Sequence, residues 1–414
     1  MYYYYLVIWL IIVTTVFTYF NHQFVRLPAT IAVIIFSVIT STVLLIVKKY
    51  FPGFITEIQH SIGSINFNSL VMNVLLGFLL FAGSFKLNLE ELKKEAKAIL
   101  SLALLSTAIS TFTVGYLIYF FLQIIDYPIP LIHCFLFGAL ISPTDPLAAL
   151  SVLKKAGIPK SFELKVTGES LLNDGIAIVI FTTIYQIASS DQPFDFLDSL
   201  VLFAKEAGGG FLFGCAIGYG GFFAIKTINN YKVEILITIV IATAGYSVAN
   251  MIHVSGPLAM VVAGLITGGK RKEHIMSDES TKFIDMFWSI TDDFLNVVLF
   301  LLVGFEMLII PLQSSIIFIG IVAIIILLLS RFISILLPVY LLRRYFEKNA
   351  LPILTWGALR GAVSIALALA LPSKMHRQDI LALTYFIAVF SIIVQGLTIG
   401  KLAKRLEARS IDKN

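Results

Sequence analysis

Long apolar stretches recur along the whole chain and are separated by short polar segments. A helix needs about 20 consecutive, mostly apolar residues to cross a bilayer. By that measure the pattern predicts an all-α polytopic membrane protein of one domain, 1–414, with thirteen spans, of which the ninth is short. The longest polar interruptions, Lys86–Lys97 and Lys270–Lys282, are predicted to be loops. The predicted spans are 4–20, 29–47, 66–85, 98–122, 130–152, 164–188, 199–224, 233–252, 255–269, 286–310, 313–341, 351–371 and 380–400.

The composition agrees with this pattern. Hydrophobic residues make up 58% of the 414 positions and charged residues only 13%, and the mean hydropathy is +0.93. Soluble domains typically carry charged residues at about a quarter of their positions. A water-soluble fold of this length has no place to bury so much apolar surface, which excludes the soluble protein classes.

The distribution of basic residues explains the formal charge of +5. If the N-terminus lies outside, 23 of the 30 basic residues fall in inner loops and the C-terminal tail, and four fall in outer loops. Such an excess is typical of the cytoplasmic side of a membrane protein. The asymmetry therefore predicts an odd number of spans with a cytoplasmic C-terminus, and it requires no nucleic acid as a partner.

Two predicted spans are interrupted by helix-breaking residues. The fifth contains the sequence Pro143-Thr-Asp-Pro146, and the twelfth contains Gly357-Ala-Leu-Arg-Gly361. Seven spans separate the two breaks, so the broken helices run in opposite directions through the membrane. Broken helices at corresponding places in two inverted halves are typical of transporters, and they mark a binding site near the membrane midplane.

The break in the fifth span offers oxygen ligands. Each proline obstructs helical hydrogen bonding near its own turn and leaves carbonyl groups without helical partners. A freed carbonyl, the Thr144 hydroxyl and the Asp145 carboxylate together suit a small cation. The alternative interpretation is a proline kink whose threonine and aspartate only cap a helix end.

The sixth span contains a denser polar cluster. On a helix, Ser170 shares a face with Asp174, and Glu169 shares a face with Asn173, because residues four apart are neighbours. The two faces lie about 100° apart, so one is available to line a wet site while the other binds neighbouring helices. A capping cluster at a helix start near Gly168 would explain Glu169. It does not explain Asp174, which lies deeper in the span, where an ionisable residue usually marks an ion or proton pathway.

Buried carboxylates need partners, and Arg331 and Arg360 are the candidates within the spans. The planar guanidinium of arginine matches the two oxygens of a carboxylate. We expect Arg360 to form a structural ion pair, because a cation would be repelled by a direct arginine neighbour. Asp292, Asp293 and Glu306 remain open between a cavity entrance and helix-end hydrogen bonds.

Cofactor chemistry is not indicated. The two cysteines, Cys134 and Cys215, lie in apolar stretches, and the six histidines lack metal-ligand spacing. Buried thiols are usually small hydrophobic residues. We therefore predict no cofactor other than the transported ions themselves.

Four ordered motifs resemble those of the NhaP/NHE branch of the cation:proton antiporters. They are Ile141-Ser-Pro-Thr-Asp-Pro146, Gly168-Glu-Ser-Leu-Leu-Asn-Asp-Gly175, Phe300-Leu-Leu-Val-Gly304 and Trp356-Gly-Ala-Leu-Arg-Gly-Ala-Val-Ser364. The resemblance covers nearly the whole chain. It implies thirteen helices in an inverted-repeat fold, a homodimer in the bilayer, and exchange of sodium for protons.

Position by position, the resemblance also implies roles for the polar residues. Asp174 matches the carboxylate that alternates between a proton and sodium, and Asp145, the Thr144 carbonyl and Ser170 match its coordinating neighbours. Beside this site we expect a structural polar network of Glu169, Asn173, Arg360 and Arg331.

Within the single domain we expect two sets of helices. The transport core would comprise 98–188 and 313–400, and the dimerisation scaffold 1–85 and 199–310. One departure from the family pattern concerns Ala82, which stands where some relatives carry a glutamate near the cytoplasmic funnel. We expect a bacterial inner membrane as the location, with the N-terminus outside.

The leading hypothesis is therefore a secondary antiporter, not an enzyme, that exchanges Na⁺, or else Li⁺ or K⁺, for H⁺. Only Asp174 of the Asn173-Asp174 pair titrates, and family resemblance associates that pair with electroneutral exchange. A K⁺/H⁺ antiporter is the nearest alternative. An intramembrane aspartyl protease is the alternative from another class, since two neighbouring aspartates can share a proton. A passive cation channel is a third alternative, although it would require a continuous pore.

Overall fold

Helices are the regular elements throughout the described part of the chain. The protein is represented by a computed structural model that describes residues 2–53, 56, 59, 67–145, 147–190, 195–269, 277–310, 314–347 and 349–411. The fifteen helices that concern us are α1 (2–25), α2 (Ala29–Val47), α3 (67–85), α4 (Leu89–Ile124), α5 (Leu131–Ile141), α6 (Leu147–Ala156), α7 (Lys160–Ser189), α8 (Phe196–Lys226), α9 (Tyr231–Met251), α10 (Gly256–Gly269), α11 (Asp278–Glu306), α12 (Ser314–Leu341), α13 (Ala350–Trp356), α14 (Ala362–Ala370) and α15 (377–411).

The helices account for every predicted span. Among the described residues, nine helices are long and apolar enough to cross a bilayer, namely α1, α2, α4, α7, α8, α9, α11, α12 and α15. The other four predicted spans are short or broken: α3, α10, the α5–α6 pair and the α13–α14 pair. The prediction of an all-α polytopic protein is confirmed.

Local sequence signals define where several helices begin. The side chains of Asn88, Asp195, Asn230 and Ser277 each accept a hydrogen bond from a backbone N–H of the following turn. Such caps satisfy amide groups that have no partner inside the helix. Pro28, Pro130 and Pro159 directly precede three further helices, in keeping with the preference of proline for helix starts.

Three helices begin well before the hydropathy predicts. The polar segment 89–97, predicted as a loop, is the amphipathic first part of α4, which buries Leu92 while its charged residues remain at the surface. α7 begins at Lys160, so Glu169 lies in the helix interior and a capping cluster near Gly168 is excluded. Hydropathy misses such segments because a helix that extends out of the bilayer no longer needs to be apolar all round. The second predicted loop is also partly helical, because α11 begins at Asp278. Residues 270–276 of that loop lie outside the described residues.

The two broken spans are interrupted where the sequence predicts. α5 ends at Ile141 and α6 begins at Leu147, while α13 ends at Trp356 and α14 begins at Ala362. Pro146 lies outside the described residues. The two breaks meet, because the Asp145 amide donates a 2.8 Å hydrogen bond to the Leu359 carbonyl. The crossing brings polar groups from distant parts of the sequence to one point.

The short helix α10 is buried along its entire length. It packs closely on α8 because α8 presents glycines to it at intervals of four residues. A Cβ on Gly214 would lie 2.6 Å from the Ala259 carbonyl oxygen, and one on Gly218 would lie 3.0 Å from the Ala263 Cα. Small residues at such intervals let two membrane helices approach closely, which explains how a 14-residue helix is retained in the bundle.

This packing predicts an asymmetry between two glycines of α8. Gly214→Ala places a methyl group against the α10 backbone, and we expect it to destabilise the protein by about 1–3 kcal/mol, as for other overpacked sites. Gly220→Ala is the matched control, because its Cβ meets nothing within 4 Å. Melting in detergent should fall for Gly214→Ala and remain unchanged or rise for Gly220→Ala. Equal melting of the two variants would contradict the close packing.

Candidate ion-binding site

A single arginine holds the unwound segment after α5. Arg360 is 1% exposed, and its Nη1 donates to the carbonyl oxygens of Ser142 at 2.6 Å and Pro143 at 2.9 Å. Inside a bilayer, carbonyl groups freed from a helix must find a protein partner or a wet cavity. These contacts replace the carboxylate ion pair that the sequence favoured for Arg360. The physical reason is that the break exposes acceptors directly opposite the guanidinium.

The Asp145 carboxylate lies against the start of α14. A Cβ added to Gly361 would lie 2.7 Å from Asp145 Oδ2, so only glycine allows this approach. Gly361 is the residue that precedes the first turn of α14, and helix N-termini attract negative charge through their free N–H groups and the helix dipole. The crossing therefore supplies electrostatic support for a charged Asp145.

Helix α7 has two polar faces, as the spacing predicts. Ser170 and Asp174 line a cavity at the crossing point. Glu169 is 2% exposed and Asn173 is 0% exposed, and both bind neighbouring protein groups. One face of α7 is thus available to a ligand, whereas the other is committed to the fold.

The cavity has a volume of about 110 Å³ and lies between the crossing and two further helices. Asp145 and Asp174 line one side, and the opposite side is largely apolar, with leucines from α3 and α11. A water molecule requires about 10–15 Å³ when volume is measured in this way. There is accordingly room for a small cation with some of its water beside the two carboxylates.

Thr144 is adjacent to this cavity but lies behind its wall. The Ser170 hydroxyl donates to the Thr144 carbonyl, and Asn173 Nδ2 donates to the Thr144 hydroxyl at 2.8 Å. Thr144 lines a separate space of about 10 Å³ together with Glu169 and Arg331. In this conformation, then, its oxygens hold α7 to the break, and the predicted role of its carbonyl as an ion ligand stays a prediction.

Glu169 has Arg331 as its partner. Arg331 Nη2 donates to Glu169 Oε1 at 2.6 Å, and Nη1 donates to Ser106 Oγ at 3.0 Å. Both charged side chains are almost completely buried, with 4% and 2% of the side chain exposed. The sequence offered either arginine as a partner for the buried carboxylates, and the structure assigns Arg331 to Glu169.

Three polar residues of the cavity received no role from the sequence. Thr167 and Ser364 line it beside the two aspartates, and Asn296 lines it from α11. Ser364 Oγ is buried and has no hydrogen-bond partner among the described residues. Its position near the start of a half-helix after a glycine break is the signal that could have identified it, because such half-helix ends commonly face the substrate.

The acidic residues that the sequence left open occupy different places. Asp292 lines the cavity with Asp145 and Asp174, whereas Asp293 is exposed and lines a wider space of about 800 Å³. Glu306 is buried in the last turn of α11. Ala82 is completely buried.

The arrangement suits the reversible binding of a hard cation. Carboxylate, hydroxyl and carbonyl oxygens are the donors that such cations prefer, and Asp145, Asp174 and Ser170 supply the first two kinds at one cavity. Two carboxylates in an apolar setting repel each other and are poorly solvated. Binding either a proton or a cation relieves both costs, and the same groups are therefore able to take up either one.

The chain is similar to known membrane proteins over nearly its full length. Residues 11–405 match the family model described as sodium/hydrogen exchanger, transmembrane. The chain is 39% identical over 405 residues to the Na⁺/H⁺ antiporter NhaP of Pseudomonas aeruginosa, and the match covers 96% of each protein. It is 35% identical over 345 residues to the Na⁺/H⁺ antiporter NhaH of Halobacillus dabanensis, covering 82% of this chain and 84% of that one.

The fold is also similar to a solved structure. The sodium proton antiporter MjNhaP1 from Methanocaldococcus jannaschii at pH 8 aligns with a TM-score of 0.75 at 17% identity, over 98% of this chain and 99% of that one. This likeness shows a shared helical architecture.

The buried ion pair generates a stability prediction. Arg331→Met leaves the Glu169 charge buried without its partner, which typically costs about 3–5 kcal/mol, so the melting temperature in detergent should fall sharply. The double variant Arg331→Met with Glu169→Gln removes the stranded charge and should recover much of the loss. If the double variant melts as low as the single one, the ion pair is not the reason for the instability.

Proposed function

Because the chain belongs to the sodium/hydrogen exchanger family, we propose that it is a secondary antiporter that exchanges Na⁺ for H⁺ across a membrane. The observation that supports this most directly is the shared cavity of Asp145 and Asp174 at the crossing of two broken helices. Carboxylates inside a membrane protein are costly and are retained where they serve transport. Transport rather than enzymatic chemistry is what the relatives named above perform.

Competition for Asp174 couples the two fluxes. A carboxylate binds a proton or a cation but does not hold both well. A site in which either ion neutralises Asp174 crosses the low-dielectric part of the protein more readily than an empty site with both carboxylates charged. Exchange then follows without any energy source other than the two ion gradients.

Asp145 and Ser170 assist this exchange in different ways. Asp145 is held at the break by its amide bond to Leu359 and lies against Gly361 at the start of α14. The Ser170 hydroxyl faces the Thr144 carbonyl. We propose that this hydroxyl and carbonyl turn toward the cavity when the cation binds, which completes a shell of oxygen ligands around it.

The cavity lies at the boundary between the two expected sets of helices. Asp145, Asp174 and Gly361 belong to the proposed core, whereas Leu80 and Leu299 on the opposite wall belong to the proposed scaffold. A site at such a boundary is exposed to one side or the other by movement of one set against the other, which is how inverted-repeat transporters alternate access. This supports the division into a core of 98–188 and 313–400 and a scaffold of 1–85 and 199–310.

The protein is an integral membrane protein, and we propose the bacterial inner membrane as its location. The excess of basic residues in alternate loops supports an N-terminus outside and a cytoplasmic C-terminus. We further propose a homodimer, in line with the resemblance to the family. Crosslinking in native membranes, with and without detergent, tests the dimer.

The identity of the cation is tested in inside-out vesicles. Collapse of an imposed pH gradient is followed after separate additions of Na⁺, Li⁺ and K⁺. We expect Na⁺ to collapse the gradient at the lowest concentration. A response to K⁺ alone would make the protein a K⁺/H⁺ antiporter. The relatives named above do not favour the protease alternative, and no response to any of the three ions would overturn the proposed function.

Asp174→Asn should abolish exchange while the protein stays folded, because asparagine keeps the shape but neither charges nor carries a proton. Na⁺-driven proton flux in proteoliposomes measures the loss, and the melting temperature checks the fold. Asp145→Asn should also impair transport, mainly by weakening Na⁺ affinity. Substantial flux through Asp174→Asn would remove Asp174 from the mechanism.

Exchange should be electroneutral. Asp174 is the one titrating member of its pair, since Asn173 carries no proton, so one proton leaves for each Na⁺ bound. Moving one net charge through 100 mV is worth about 2.3 kcal/mol, and an electrogenic cycle would respond clearly to voltage. Na⁺ exchange in proteoliposomes clamped with K⁺ and valinomycin should be independent of the imposed potential. Strong voltage dependence would require a second titrating group, with Asp145 or Glu169 examined first.

A further inference from the structure

A third carboxylate lines the cation cavity from the scaffold side. Asp292 lies in the middle of α11, and together with Asn296 it faces the same space as Asp145 and Asp174. It is 8% exposed, so it is neither a surface residue nor a helix cap. A buried carboxylate opposite the site requires an explanation that the exchange of ions on Asp174 does not provide.

Both oxygens of the Asp292 carboxylate contact a polar side chain. Lys86 Nζ lies 2.7 Å from Asp292 Oδ2, and Asn296 Nδ2 donates to Asp292 Oδ1 at 2.8 Å. The two partners differ in accessibility. The Lys86 side chain is 30% exposed, whereas the Asp292 side chain is 11% exposed. Lys86 is therefore the more accessible member of the pair, and Asp292 is the member that lines the cavity.

Asn296 connects the site with a wider space. It lines the cation cavity of about 110 Å³ and also the neighbouring space of about 800 Å³, which Ser151 and Asp293 line as well. The Asn296 amide, which is bonded to the Asp292 carboxylate, thus borders both the cation cavity and the wider space.

We treat Asp292 as a separate binding position for the cation and not as a further ligand of a cation bound at Asp174. Among the described residues, no three acidic, histidine or cysteine side chains lie close enough together to hold one metal ion. Most of the other residues that line the cavity are apolar, including leucines from α3 and α11. A cation that leaves water for such a passage is poorly solvated, and an intermediate carboxylate lowers that cost.

We propose that Asp292 is the entry ligand for the transported cation, and that the cation displaces the Lys86 ammonium from it before it moves on to Asp174. This inference rests on the proposed antiport. The ammonium neutralises Asp292 when no cation is present, so that the buried charge is never unpaired. It also competes with the cation, which sets the concentration at which the site begins to fill.

The alternative is that Lys86 and Asp292 only brace α3 against α11. A brace and an entry ligand give different results when the two residues are changed separately. If the pair is only structural, loss of either partner lowers the stability of the fold and does not change the affinity for Na⁺. For an entry ligand, loss of the carboxylate weakens Na⁺ affinity, and loss of the competing ammonium strengthens it.

The test measures KM and the maximal rate of Na⁺/H⁺ exchange in proteoliposomes for the full-length wild type, Asp292→Asn, Asp292→Glu and Lys86→Met, each with its melting temperature. We expect Asp292→Asn to raise KM for Na⁺ about tenfold, which corresponds to about 1.4 kcal/mol, with a smaller change in maximal rate. Asp292→Glu keeps the carboxylate and should restore a KM near that of the wild type. Lys86→Met should lower KM.

Asp293→Asn is the matched control, since it removes the same charge from the exposed neighbouring position. Its KM should stay near the wild-type value, and an equal rise in KM would assign the effect to general surface charge and overturn the proposal. Unchanged KM in Asp292→Asn, or lower melting temperatures of Asp292→Asn and Lys86→Met without any change in KM, would likewise overturn it. A wild-type protein without Na⁺-dependent exchange would refute the proposed function instead, so the two failures are distinguishable.

Discussion

The structure depends on one constraint: a chain that unwinds inside a bilayer must satisfy its own backbone. Hydrocarbon offers no hydrogen bonds, so a broken helix is stable only where protein groups or water replace the lost partners. Here the two breaks satisfy each other. The Asp145 amide binds the Leu359 carbonyl, and Arg360 binds the carbonyls of Ser142 and Pro143. The crossing thereby fixes the backbone from which the site residues project.

The buried charges divide into two groups because of this crossing. Arg331 neutralises Glu169 on one face of α7, and Arg360 serves the unwound backbone. Neither arginine lines the cavity that Asp145 and Asp174 share. The carboxylates at the cavity are in this way left able to attract a cation, whereas the remaining charge holds the helices together. The same four-residue spacing on α7 serves both purposes.

The cavity lies where movement of one set of helices against the other would change the access of ions to the carboxylates. One wall comes from the broken helices and α7, and the other comes from α3 and α11. Close glycine packing keeps the short helix α10 against α8 in the proposed scaffold. Movement of the crossing helices against the proposed scaffold would expose the carboxylates alternately, and Asp292, paired with Lys86, lines the cavity from α11.

The sequence by itself determined the thirteen spans, the two breaks and the two faces of α7, because hydropathy, proline and glycine positions, and helical periodicity are all local properties. It did not determine where α4 and α7 begin, since their polar first turns leave the bilayer. Tertiary structure alone decided which arginine meets which acceptor: Arg331 and Glu169 are 162 residues apart, and Arg360 and Ser142 are 218 apart. It also placed Thr144 behind the cavity and Asp292 inside it. Such pairings depend on how distant helices cross, and no local pattern encodes the distance between two side chains on different helices.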